Sequence, residues 1–115
     1  MHNYKELKVW EKGRALVKEI YLATQDFPTE EKFGLKSQLR RCAVSIPANI
    51  AEGSGRSSNK DFTNFLNIAL SSAYELETEI ILSFDLNYIS KEHQDELIEK
   101  TQEIQKMIIG FQRTL

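Results

Sequence analysis

The sequence predicts an all-α fold, an antiparallel up-down-up-down four-helix bundle forming a single domain over residues 1–115. Three observations predict it. Apolar residues recur every three or four positions in four successive segments, which is the spacing of one helix face. Only five Gly and two Pro punctuate the chain, too few for the many turns of a β-sandwich or barrel. The links between segments are short, about 3–6 residues, which forces neighbouring helices to run antiparallel.

The first helix is expected from about Lys5 to Asp26. Leu7, Trp10, Val17 and Tyr21 fall on one stripe, and Val9, Leu16, Ile20 and Ala23 on the next. Phe27-Pro28 ends it, because the residue before proline avoids the α region. Thr29 is placed to cap the second helix, and Glu30 and Glu31 suit its positive end. That helix is expected over 30–52, with Leu35, Leu39, Cys42, Ile46 and Ile50 on one face. Pro47 removes a backbone bond inside it, so a kink is expected there. Gly53 and Gly55 are read as left-handed terminators. Ser58 caps the third helix, with Asp61 three residues on. Phe62, Phe65, Ala69, Ala73, Leu76, Ile80 and Phe84 give its stripe, and it ends near Leu86-Asn87. Ser90 caps the fourth, where Leu97, Ile104, Ile108, Phe111 and Leu115 keep the period. The expected core is Trp10, Leu39, Ile46, Phe65, Leu76, Ile80, Ile104 and Ile108. Apolar residues on further stripes, such as Val9, Ile68 and Leu82, exceed what one core can take and point to a homo-oligomer.

Composition narrows the function classes. Hydrophobic residues are 41% and charged residues 28%, which suits a globular domain rather than a disordered one. No apolar run approaches the roughly 18 residues of a membrane span, and the first eight residues lack a leader's apolar core, so a cytoplasmic protein is expected. The single cysteine, Cys42, excludes an internal disulfide and a cysteine-built zinc cage, and reads as a small core residue. His2 and His93 both lack the Glu three residues earlier that a di-iron bundle needs. Without those partners, Glu75 and Glu79 read as a solvated or ion-paired face. Gly53-Ser54-Gly55 follows a helix and lacks the Lys-Ser/Thr of a phosphate loop. No catalytic residue, cofactor or metal site is therefore expected, and the chain is not expected to be an enzyme.

Charge is uneven. Residues 1–31 sum to −1, residues 32–60 to +5 and residues 61–115 to −6. The basic middle is carried by Lys32, Lys36, Arg40, Arg41, Arg56 and Lys60. Either it is an anion-binding surface, or basic and acidic helices attract one another across the bundle or a subunit contact. Beside the apolar line of the second helix runs a polar one: Gln38, Arg41, Ser45, Asn49 and Glu52. Short neutral groups there suit specific hydrogen bonds, either to neighbouring helices and around Pro47 or to another subunit or ligand.

The run Gln38-Leu-Arg-Arg-Cys-Ala-Val-Ser-Ile-Pro-Ala-Asn-Ile-Ala-Glu-Gly53 resembles the signature of the four-helix bundle proteins encoded in intervening sequences of bacterial 23S rRNA genes. Residues 65–77 and the opening Leu7-x-Val9-Trp10 match as well, with Ser71 standing where glycine is common. The resemblance implies no enzymatic activity. A relative of that family, the accessory protein of diversity-generating retroelements, forms a homopentameric barrel and binds nucleic acid while assisting a reverse transcriptase. It thus implies a self-associating accessory protein, most simply a pentamer. RNA or DNA would be bound through Lys36, Arg40, Arg41, Arg56 and Lys60. The alternative is an oligomeric scaffold for a partner protein.

Overall fold

In the computed structural model, which describes residues 2–115, the chain is helical with no strand among those residues. Helices α1 (Lys8–Ala23), α2 (Leu35–Ser54), α3 (Asn59–Asp85) and α4 (Lys91–Gln112) are preceded by a short turn at Tyr4–Glu6, and a second turn at Thr29–Glu31 separates α1 from α2. The molecule measures 43 × 24 × 19 Å. Each helix packs closely on two others: α2 and α4 both lie against α1 and α3. Hydrogen bonds between α3 and α4 pair Asn67 with Gln112 and Glu77 with Gln105, and Asn59 reaches Leu115 just past the end of α4, so one helix descends as the other ascends.

The core is the apolar stripe of each helix turned inward: Leu16 and Ile20, Leu39, Ile46 and Ile50, Leu66, Leu76 and Ile80, then Ile104 and Ile108. Burying side chains of this size stabilises by about 1.5–3 kcal/mol each. Three expectations about the core are corrected. Phe65 is half-buried and Leu66 takes the inward position, because a stripe stepping by three or four leaves two adjacent residues competing for one turn. Trp10 lies at the rim, its ring against Tyr4 at 5.2 Å and under Arg14. Val9 is buried, whereas Ile68, Leu82 and also Tyr21 are exposed.

Helix ends differ from expectation where side chains do the capping. Helix α1 begins at Lys8 after an extended Leu7, and the Thr24 hydroxyl donates to the Ile20 carbonyl at 2.8 Å at its end. Thr29 belongs to the intervening turn and does not cap α2. Glu31 does so instead: its Oε1 accepts from the Leu35 N–H at 2.9 Å, and the Tyr88 hydroxyl donates to its Oε2 at 2.8 Å. The backbone donor, then Tyr88, hold the Glu31 carboxyl below its ordinary range. Ser58 and Ser90 cap α3 and α4 as expected, accepting from Asp61 and His93. Asn87, at φ 63°, closes α3 with paired bonds from Tyr88 to Ser83 and from Asn87 to Phe84.

Helix α2 runs through Pro47 to Ser54, and neither Gly53 nor Gly55 is left-handed. Gly53 is a close-approach residue. A Cβ there would stand 2.7 Å from Phe65 Cβ and 2.9 Å from Phe62 Cδ1, so its hydrogen is what lets α3 seat on α2. Among the described residues no helix is long and apolar enough to cross a membrane.

Candidate nucleic-acid interface

The five basic residues singled out in the sequence do not form one cluster. Lys36, Arg40 and Arg41 lie in the first two turns of α2, whereas Arg56 and Lys60 flank the α2–α3 junction. At about 1.5 Å per residue the two groups sit roughly 20–30 Å apart along α2.

The first group lines a shallow groove where the second short turn and α2 pass over the end of α1, together with Tyr21, Lys32, Phe33, Ser37, Val44 and Ser45. Arg40 is largely committed to the fold. Its Nε donates to Thr24 Oγ1 at 3.0 Å, its Nη2 donates to the Tyr21 carbonyl at 3.2 Å, and its guanidinium lies 4.2 Å from the Tyr21 ring centroid. A cation bonded to the last turn of α1 satisfies its free carbonyls and complements the negative helix end. Lys36 and Arg41 form no ion pair among the described residues, and neither does Lys32. Lys32 Nζ stands 5.4 Å from the ring centroid of Phe33, a residue 88% exposed. Tyr21 is 42% exposed on the same groove.

Phe33 and Tyr21 are groove residues that the charge pattern does not mark, and Lys32, part of the basic stretch, joins Lys36 and Arg41 there. Tyr21 shares an apolar stripe with Leu7, Trp10 and Val17, and Phe33 falls at the start of the expected second helix but off its apolar line. The signal available was the juxtaposition Lys32-Phe33-x-x-Lys36, an aromatic ring between cations.

At the junction, Arg56 pairs with Glu52 at 3.2 Å and stacks on Phe65 at 4.6 Å, leaving exposed Lys60 without an ion pair among the described residues. The polar line of α2 likewise divides. Ser45 shares a 2.8 Å hydrogen bond with Ser72 that joins α2 to α3, and Asn49 donates back to the Ser45 carbonyl and hydroxyl within α2. Gln38 and Arg41 face solvent. Among the described residues no ion pair joins the basic stretch to the acidic one; Lys12 pairs with Glu103 at 3.1 Å and Lys100 with Glu19, both joining α1 to α4.

Glu79 is not on a solvated face. It is 7% exposed, and its Oε2 accepts from the Cys42 thiol at 3.2 Å. Burial, with Glu75 nearby, holds the Glu79 carboxyl above its ordinary range, and burial followed by Glu79 pushes the Cys42 thiol upward.

The class the structure defines is a helical bundle whose second helix carries a basic, aromatic-edged groove. The chain belongs to the 23S rRNA-intervening sequence protein family, whose model matches residues 5–110. It is similar to a crystal structure from Bacteroides thetaiotaomicron described as a protein of unknown function from the S23 ribosomal protein family. The two share 31% identity and a TM-score of 0.82, over 90% of this chain and 97% of that one. No curated protein matches.

Proposed function

We propose that the protein is a non-enzymatic, homo-oligomeric accessory protein that binds RNA or DNA, alone or within a ribonucleoprotein, through the groove on the first half of α2. In this reading it is a cytoplasmic, cyclic pentamer of up-down-up-down bundles, with α2 bent at Pro47. The observation that carries the reading is the groove itself. Three cations without ion-pair partners among the described residues, Lys32, Lys36 and Arg41, alternate there with the exposed rings of Phe33 and Tyr21. Cations take phosphates without reading sequence, while exposed rings stack unpaired bases at about 1–3 kcal/mol each. The combination favours unpaired segments of a structured RNA. The acid-rich α4 packs on α1 and α3, not on α2, which keeps its charge off the groove.

Three cations per chain give weak binding, and cyclic repetition multiplies them. Self-association is supported by the outer side of α3. Ser71, Tyr74, Thr78, Ile81 and Leu82 are exposed there, and no Lys or Arg occurs between positions 61 and 90. The same face, free of lysine and arginine, favours the second reading, a scaffold for a partner protein without nucleic-acid binding.

The test is affinity for a stem-loop RNA and a DNA duplex across a salt series. The wild type is compared with a Lys32→Ala/Lys36→Ala/Arg41→Ala variant and an Arg56→Ala/Lys60→Ala variant. Binding should weaken with a log–log salt slope of about 2 for each engaged chain, given roughly 0.7 per phosphate on single strands. The groove variant should lose most of it and the junction variant little. No binding at low salt, or equal binding by all three proteins, leaves the scaffold reading.

A further inference from the structure

A second constellation lies on the opposite flank of α2, where α3 packs against it. Cys42 of α2 and Glu75 and Glu79 of α3 come together there, although 33 and 37 residues separate the glutamates from the cysteine. Glu75 and Glu79 are four residues apart and so share a helix face. The Cys42 sulfur and one oxygen from each carboxylate all lie within 4.8 Å of one another. Two acids beside a thiol would be unremarkable at the surface. Here Glu79 is 7% exposed, and its Oε1 has neither solvent contact nor a hydrogen-bond partner. An orphaned carboxylate oxygen in a protein interior costs several kcal/mol when charged, and interiors rarely leave one without a compensating group.

We propose that Cys42, Glu75 and Glu79 form a binding site for a thiophilic divalent cation, for which zinc is the chemical fit. Thiolate and carboxylate are both zinc ligands, and a set of three protein ligands leaves the fourth tetrahedral position to water. Zinc bonds of about 2.0–2.3 Å set ligand atoms roughly 3.3–3.8 Å apart. The 3.2 Å separation of Cys42 Sγ and Glu79 Oε2 is already close to that. The remaining contraction falls to Glu75, whose exposed side chain is free to rotate. An open depression lined by Gly34, Gln38, Thr78, Glu75 and Glu79 gives the ion and its water a route from solvent. On binding, the thiol releases its proton to solvent and the sulfur lone pair forms the metal bond, with no change of oxidation state. The cation then offsets the buried Glu79 charge. The site is separate from the cationic groove and does not depend on the nucleic-acid reading.

The experiment titrates cobalt(II), the spectroscopic stand-in for zinc, into the reduced 115-residue chain. Cys42 is the only cysteine, so any thiolate-to-cobalt charge-transfer band reports this site alone. The band should saturate at one cobalt per chain and be displaced by zinc, and zinc should raise the melting temperature. Cys42→Ala should abolish the band. Glu79→Gln and Glu75→Gln should each weaken binding at least about tenfold, the lower end of what disturbing even a supporting shell costs. Glu75 is exposed, so Glu75→Gln keeps the test decisive if either core variant folds poorly. Absence of a band at modest cobalt excess would overturn the proposal. A band with the same affinity in both glutamate variants would do so as well, and would leave Cys42 and Glu79 as a thiol–carboxyl contact only.

Discussion

Replacing Gly53 with alanine tests the packing of α2 against α3 at one atom. The added Cβ meets Phe65 Cβ at 2.7 Å and Phe62 Cδ1 at 2.9 Å, both closer than Cβ contacts in real structures. Phe62 is 2% exposed and cannot swing outward, and the Phe65 Cβ is tied to the α3 backbone. Relief therefore requires the two helices to separate by several tenths of an ångström. Overpacking of this kind costs about 1–3 kcal/mol. Alanine's better helix propensity returns at most about 1 kcal/mol, and less here because position 53 is one residue from the end of α2. A net loss of roughly 1–2 kcal/mol should lower the melting temperature by about 4–10 °C for a domain of this size. Two controls bracket the reasoning. A Cβ at Gly13 would meet Ile46 and Pro47 at 3.4–3.6 Å, ordinary contact distance, and one at Gly110 would meet nothing within 4 Å. Both alanine variants should melt at or above the wild type by thermal circular dichroism. A Gly53→Ala protein as stable as the wild type would refute the close-approach account and restore a simple helix-end role.

Leu39→Ala and Ile80→Ala should each cost roughly 2–5 kcal/mol in chemical denaturation, whereas Phe65→Ala should cost clearly less. Arg40→Ala should destabilise the fold by about 1–3 kcal/mol through loss of its bonds to Thr24 and Tyr21. It should change nucleic-acid affinity less than Arg41→Ala, which equilibrium binding on the folded proteins would read. Glu31 has a lowered carboxyl in the fold, so its capping stabilises above the unfolded-state value and is lost as pH falls through the folded one. Glu31→Gln should accordingly flatten the acid limb of the stability–pH curve, and an unchanged limb would assign the acid sensitivity elsewhere.

The four helices were legible because their apolar period is long and because serine caps mark two of their starts. What stayed hidden depends on contacts between segments. Glu31 caps α2 from within a turn that the pattern merges into the helix, and Leu7 begins α1 with no side-chain signal. Leu66 and Phe65 satisfy the stripe about equally, and only the packing of α3 on α2 and α4 sets which of them turns inward. Arg40 looked equivalent to Arg41 because nothing local says that the end of α1 lies beneath it. A glutamate at a core register, as Glu79 is, reads as solvated until the neighbouring helix is in place. The basic stretch was visible as charge. Its division into a groove and a junction follows from helix length.

Ultraviolet crosslinking of the wild-type protein to a stem-loop RNA, with peptide mapping of the adducts, tests the groove most directly. The account predicts adducts on Phe33 and Tyr21, suppressed by added salt and absent from the Lys32→Ala/Lys36→Ala/Arg41→Ala variant. Adducts confined to α3 and α4, or persisting unchanged in that variant, would contradict it.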